Sequence, residues 1–261
     1  MTKTKLSFNC GSDISTHKMS KKLYVVGVGP GSPLYLTDIA KEAIRKCHYI
    51  MGYKYTLETI ETIIDKNRQE ISEIALWNQE IVYLDIYKKM KNNEYCAVPF
   101  TGDASFSESE VVDRLLEIFG DDNVEIIPGI SSIQIAAAKT RIPLDKAHIA
   151  TFHVSGDIEK KKKELIHAVN EGKSVILLPR PWSGDLTKRF MESDVAMFLK
   201  KNGIKTSALN TFVFEYLTNN EKETAFKGKV SELEGQEFSD LSVMVIDQTK
   251  RQTYLEFEET R

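Results

Sequence analysis

Residues 25–33 read VVGVGPGSP: two valines that close a β-rich run, then Gly27, Gly29 and Gly31, with Pro30 between the last two. An apolar run that ends in glycines and gives way to helical spacing reads as strand, turn and helix. The strand is KKLYVVG, and the helix is expected in LTDIAKEAIRKCHYIMG (36–52), where Leu36, Ala40, Ala43, Ile44 and Cys47 recur at helical spacing. Thr37 and Asp38 suit its start, because short oxygen-bearing side chains accept from amides the first turn leaves unpaired. Gly52 marks the expected stop. The turn matches no common phosphate-binding spacing. A dinucleotide fingerprint needs its third glycine one place later, where Ser32 stands, and no Gly-Lys-Ser/Thr follows.

The same unit recurs. After helical patterns in 55–66 and 80–93, EYCAVPFTGD (94–103) reads as a buried strand ending in a glycine turn, and SESEVVDRLLEIFG (107–120) as the helix after it. NVEIIPG (123–129) and SSIQIAAAKTRI (131–142) repeat strand, turn and helix. Alternating elements of this kind indicate an α/β domain with ligands bound outside the carboxyl ends of its strands. The turns VGVGPG, TGDASF (101–106) and PGISSIQ (128–134) are therefore expected at one sheet edge. Glycines there permit close approach, Asp103 can accept from hydroxyl or ammonium groups, and Ser131 and Ser132 can donate to a carboxylate at a helix start. Helix capping by Asp103 and Ser131 is the plainer reading, and the two are compatible.

Around TRIPLDKAH (140–148) the pattern changes, and Pro143 marks a short linker. HIATFHVSG, SVILLP, SALNTFVFEYL and LSVMVID read as strands, with helices in 159–172 and 187–203. Charged turns in 219–235 indicate late hairpins and hence a mixed sheet. The expected organisation is a disordered tail over 1–20, an N-terminal α/β domain over 21–142 and a C-terminal α/β domain over 143–261. Residues 1–18 read as an extension upstream of a natural beginning at Met19.

Composition narrows the class. A formal net charge of -3 supplies no global attraction to nucleic acid or anionic lipid, so an anionic ligand must meet a local basic patch. Lys160 to Lys163, without interleaved aromatics, read as a solvated helix start. No apolar run is long enough to span a bilayer, and the polar start lacks the core of a signal peptide. Cys10, Cys47 and Cys96 are far apart and without paired histidines, which supports neither a disulfide framework nor a zinc site, and a cytoplasmic setting is expected.

YVVGVGPGSPLYLT, TGD with Phe106 close behind, VEIIPGISS, VILLP and FSDLSVMVI stand in the order seen in the tetrapyrrole methylase family, which the chain resembles from about residue 22 to 247. PGISSIQIAAAK and FSDLS are most similar to its cobalt-precorrin C5-methyltransferase branch. The resemblance implies two α/β domains with S-adenosylmethionine in the cleft between them, a tetrapyrrole substrate, and a homodimer. It carries cofactor contacts onto Pro30, Gly31, Gly102, Asp103, Phe106, Ser131 and Ser132, completed by Leu178 and Phe214 from the second half. The chain departs from the family at one loop: Ala104 replaces the proline of Gly-Asp-Pro, and Ser107 and Glu108 stand where an aromatic and a glycine are usual.

Methyl transfer from a sulfonium asks mainly for alignment and exclusion of water, which fits a chain with no nucleophilic triad or carboxylate-pair signature. His153 is the candidate base for proton loss, against the plainer reading of a structural strand histidine. Arg141 and Arg180, with Lys188 and Arg189 behind them, are the candidate partners of substrate carboxylates. No resident metal is expected. The implied product is cobalt-precorrin-7; a decarboxylating C15-methyltransferase would be a separate partner. Alternatives are methylation at another ring position or of uroporphyrinogen, or a regulatory nucleotide-binding protein without turnover.

Overall fold

A computed structural model describes residues 21–181 and 185–250. The tail expected over 1–20 lies outside them. The first half runs β1 (Lys22–Gly27), α1 (Asp38–Lys46), β2 (Tyr49–Tyr53), α2 (Lys54–Thr59), β3 (Glu70–Ile74), α3 (Gln79–Lys89), β4 (Tyr95–Phe100), α4 (Ser109–Phe119) and β5 (Val124–Ile127). The strands form one sheet in the order β3-β2-β4-β1-β5, every pair parallel. Parallel neighbours require crossovers, and the crossover helices cover both faces. Along β1, Leu23 and Val25 face the core beneath α3 and α4, while Tyr24 and Val26 face the core beneath α1 and α2. Thr37 caps α1 as expected, its hydroxyl accepting from the Ala40 amide at 3.2 Å.

The chain then enters α5 (Ser132–Thr140) and a second unit of β6 (Ala147–Thr151), α6 (Glu159–Asn170), β7 (Ser174–Leu178), α7 (Glu192–Lys201), β8 (Asn210–Glu215), β9 (Thr224–Lys229) and β10 (Ser242–Asp247). Its sheet is ordered β6-β7-β10-β8-β9; β6 and β7 are parallel and the other pairs antiparallel, so the sheet is mixed. Helices α6 and α7 cover one face. The other face is covered from the first half: Ile133, Ala136 and Ala137 of α5 pack on Ile176, Phe214, Val243 and Val245. Because β5 feeds α5 directly, this helix fixes the carboxyl edge of the first sheet against the face of the second.

Two strands differ from the sequence reading. The helix expected to run to Gly52 ends at Lys46, where the Cys47 amide donates to Ile44, and Tyr49–Tyr53 is a strand. Ile50 and Met51 are buried on opposite faces of the sheet, so β2 carries none of the alternation that marks a half-exposed strand. Glu70–Ile74 pairs only with β2 at the sheet's edge.

Candidate functional site

The three glycine turns meet backbone to backbone. Gly29 and Gly102 exchange hydrogen bonds, N to O at 3.2 and 2.7 Å, which joins the turn after β1 to the turn after β4. A Cβ on Gly27 would lie 2.6 Å from the Gly129 amide nitrogen and 2.8 Å from the Gly102 carbonyl oxygen, so the third turn closes on the other two. Gly102 has φ +77°, in the left-handed region that favours glycine. Asp103 completes the junction: its carboxylate accepts from the Gly129 amide at 2.9 Å and from the Ser105 amide at 2.7 Å. It therefore binds turn to turn and caps no helix; the residue at the start of α4 is Glu108. Ser131 does cap α5, accepting from Ile133 while Gln134 accepts from the Ser131 amide.

The second half closes over this edge. Buried Pro30 and Gly31 lead to Ser32, whose amide donates to Thr218 Oγ1 at 3.0 Å, and the Leu217 carbonyl lies beside Gly31. On the opposite side, Glu110 in the first turn of α4 accepts from the amide and hydroxyl of Ser155. Between these tethers, Phe106 of the second turn and Leu178 at the end of β7 are half-buried in one apolar cluster with Ile133, Phe214 and Leu217. Gly102 lies against Ser131 and Ser132. The fold thus gathers Pro30, Gly31, Gly102, Asp103, Phe106, Ser131, Ser132, Leu178 and Phe214 between the two sheets.

The candidates for proton transfer and anion binding divide. His153 follows β6, and its Nε2 is enclosed with no hydrogen-bond partner. Burial pushes the imidazole down to about 4, against the charge of Asp240 and a hydrogen bond with the Pro179 backbone, so the ring is neutral near pH 7. Arg180 is buried, with Nη2 donating to the Ser155 carbonyl at 3.0 Å. It borders a 420 Å³ cavity with Ser155, Asp157, Lys162, Lys188 and Arg189. Arg141 stands apart: it ends α5 at φ +57°, at the far end from Ser131, and opens onto a 640 Å³ groove beside Phe212, Lys227 and Lys229. The structure does not bring Arg141 to the turns.

Glu108 is the residue the sequence reading registered only as a departure. Burial raises its carboxyl to about 7. Its negative charge is felt by the hydroxyls of Tyr53 at the end of β2 and Tyr83 on α3, both raised chiefly by burial.

The profile of the tetrapyrrole (corrin/porphyrin) methylases matches residues 22–234. The chain belongs to this family. A probable cobalt-precorrin-7 C(5)-methyltransferase of Methanocaldococcus jannaschii is 32% identical over 228 residues, 86% of this chain and 97% of its own. A probable cobalt-precorrin-2 C(20)-methyltransferase of the same organism is 30% identical over 257 residues, 90% and 100% of the two chains. Among solved structures, the uroporphyrin-III C-methyltransferase of Thermus thermophilus complexed with S-adenyl homocysteine superposes with a TM-score of 0.61 at 16% identity, over 86% of this chain and 91% of that one. This tetrapyrrole methylase therefore shares the fold of a protein whose structure holds the demethylated form of a methyl donor. Among its described residues, no helix is long and apolar enough to cross a membrane.

Proposed function

We propose that the protein transfers a methyl group from S-adenosylmethionine to C5 of a cobalt-precorrin-6 type macrocycle, giving cobalt-precorrin-7. The observation that carries this reading is the convergence of three mutually bonded glycine turns with the start of α5 and the ends of β7 and β8. The relative named for C5 methylation supports the ring position, and the one named for C20 makes another position the second reading. The lining fits the donor: Phe106, Leu178, Phe214 and Leu217 offer an apolar bed beside turn backbone, and the enclosed His153 Nε2 and Ser107 Oγ have no partner of their own.

S-adenosylmethionine, when bound, supplies an electrophilic methyl carbon on a sulfonium. The rest falls to the chain. Pro30, Gly31, Gly102, Asp103, Phe106, Ser131 and Ser132 hold the side of the first sheet's edge; Leu178 and Phe214 hold the side of the second sheet. The two tethers, Ser32 to Thr218 and Glu110 to Ser155, keep the halves together and restrict water. Arg180 and the cations around its cavity take carboxylates of the macrocycle. His153, neutral and with its Nε2 unpartnered, is suited to accept a hydrogen bond from a substrate N–H there. Cobalt, where present, enters with the substrate. The protein works as a cytoplasmic homodimer.

Incubation with methyl-labelled donor and a set of precorrins, followed by NMR of the product, tests the proposal. Label at C5 is expected. Label at another carbon moves the protein to another branch of the family, and donor binding without transfer to any precorrin makes it a binding protein.

A further inference from the structure

Helix α3 is apolar on both sides. Tyr83, Ile86 and Met90 belong to the core beneath it. On the outward side, Trp77 just ahead of the helix, then Ile81 and Leu84, recur at helical spacing. Leu76 is 75% exposed, Trp77 83%, Ile81 62% and Leu84 42%. The neighbouring α4 shows the ordinary pattern, with Ser109, Asp113 and Glu117 as its exposed residues. A surface helix turns its polar residues outward, and one that is apolar all round is covered on both sides. Among the described residues, nothing covers this face of α3.

Size and charge say what fits it. Four side chains exposed to this extent leave roughly 500 Å² of apolar surface in one stretch, at the upper end of what a lone chain keeps. With the charged residues around it, the face approaches the ~800 Å² that each partner gives to a stable interface. Along the exposed side of α3 the acidic residues come first, Glu80 and Asp85, and the basic ones after, Lys88 and Lys89. Arg114 Nε holds Glu80 Oε1 at 3.1 Å, which fixes that carboxylate at the rim. Two copies of α3 crossing antiparallel set the acidic half of each against the basic half of the other. A two-fold contact uses one patch twice, so it requires a face that matches itself in this way. The acidic residues beside the patch oppose an anionic lipid surface.

We propose that this face joins two copies of the chain, α3 packing antiparallel on α3 about a two-fold axis near Leu84. The proposal names the surface of the homodimer stated above and rests on that reading; methyl transfer does not enter it.

Size-exclusion chromatography with light scattering of the full chain tests it. The wild type should have twice the mass of one chain, and Ile81→Asp/Leu84→Asp should halve it while keeping the far-ultraviolet circular dichroism of the wild type. Asp113→Arg, on the exposed side of α4, should leave the mass unchanged. So should deletion of residues 1–18, which tests the chain's own start as the occupant. Leu84→Cys in a Cys10→Ser background, where Cys47 and Cys96 are buried, should oxidise to a covalent dimer. A dimer that persists in Ile81→Asp/Leu84→Asp, or one that does not cross-link in Leu84→Cys, overturns the proposal and leaves the homodimer standing on another face. A wild type that is monomeric at micromolar concentration overturns both, and binding of that monomer to phosphatidylserine vesicles would give the face to a lipid surface instead.

Discussion

The carboxylate of Glu110 accepts from the Ser155 amide at 3.0 and 3.2 Å and from the Ser155 hydroxyl at 2.7 Å, joining the first turn of α4 to the loop after β6 across the cleft. Ser155 in turn offers its carbonyl to Arg180, so one residue links a tether to a cavity wall. Charge-assisted hydrogen bonds to a carboxylate are worth about 1.5–3 kcal/mol when sheltered and less in contact with water. Glu110→Ala should therefore leave the melting temperature within a few degrees while raising amide exchange across 153–158 about tenfold. An unchanged exchange rate would mean that the tether does not hold the loop.

The contact of the three turns makes its own prediction. A methyl group on Gly27 would sit inside van der Waals range of Gly129 and Gly102 backbone, atoms that no side-chain rotation can move away. Gly27→Ala should cost about 3 kcal/mol or more, as overpacking against a rigid neighbour does. Gly156 has open space around its own Cβ position, and Gly156→Ala should stay within about 0.5 kcal/mol. Chemical denaturation of the two variants measures both. Equal losses would show that the turns are free to separate.

Much of this was legible in the sequence. Strand-turn-helix units, the mixed second sheet and the convergence of the turns follow from hydrophobic period and glycine placement, because those patterns encode local structure directly. β2 was not legible: Cys47, Tyr49, Ile50 and Met51 extend an apolar stretch that follows a helix, and only pairing with β3 and β4 makes it a strand. Asp103 was visible as a turn residue, yet its use for the Gly129 amide, 26 positions away, depends on how the strands are ordered. Glu108 stood out by its residue type, but its burial is a tertiary property that no local pattern encodes. Arg141 and Arg180 looked equivalent along the chain; a helix of nine residues separates Arg141 from the turns.

Stability should bend in opposite directions around two buried groups. Glu108 has an ordinary value of 4.5 and a folded value of about 7, so between these pH values the unfolded chain has already released a proton that the folded chain retains. Stability then falls as pH rises through that window, on the order of 3 kcal/mol. His153 has an ordinary value of 6.5 and a folded value of about 4, so below 6.5 the unfolded chain gains a proton that the folded chain refuses. Stability falls as pH drops toward 4, by a similar order. Relative to wild type, Glu108→Gln should gain stability from pH 4.5 to 7, and His153→Gln should gain it from pH 6.5 down to 4. Denaturation curves across pH check both slopes, and parallel curves for wild type and variant would remove the group concerned.

Arg180 and Arg141 can be separated by substrate kinetics. The cavity beside Arg180 adjoins Ser155 and therefore the tethered mouth of the cleft, whereas the groove beside Arg141 lies at the other end of α5 against β8 and β9. A guanidinium fork binds a carboxylate through two parallel bonds that an ammonium cannot reproduce. Arg180→Lys should raise KM for the macrocycle about tenfold, with S-adenosylmethionine affinity within twofold, and Arg141→Ala should change neither by more than twofold. Because Arg180 is buried, the melting temperature of Arg180→Lys is read alongside, and a KM effect without a loss of folding is the informative result. The opposite pattern, with KM raised by Arg141→Ala alone, would move the macrocycle to the groove beside β9 and take Arg180 out of substrate binding.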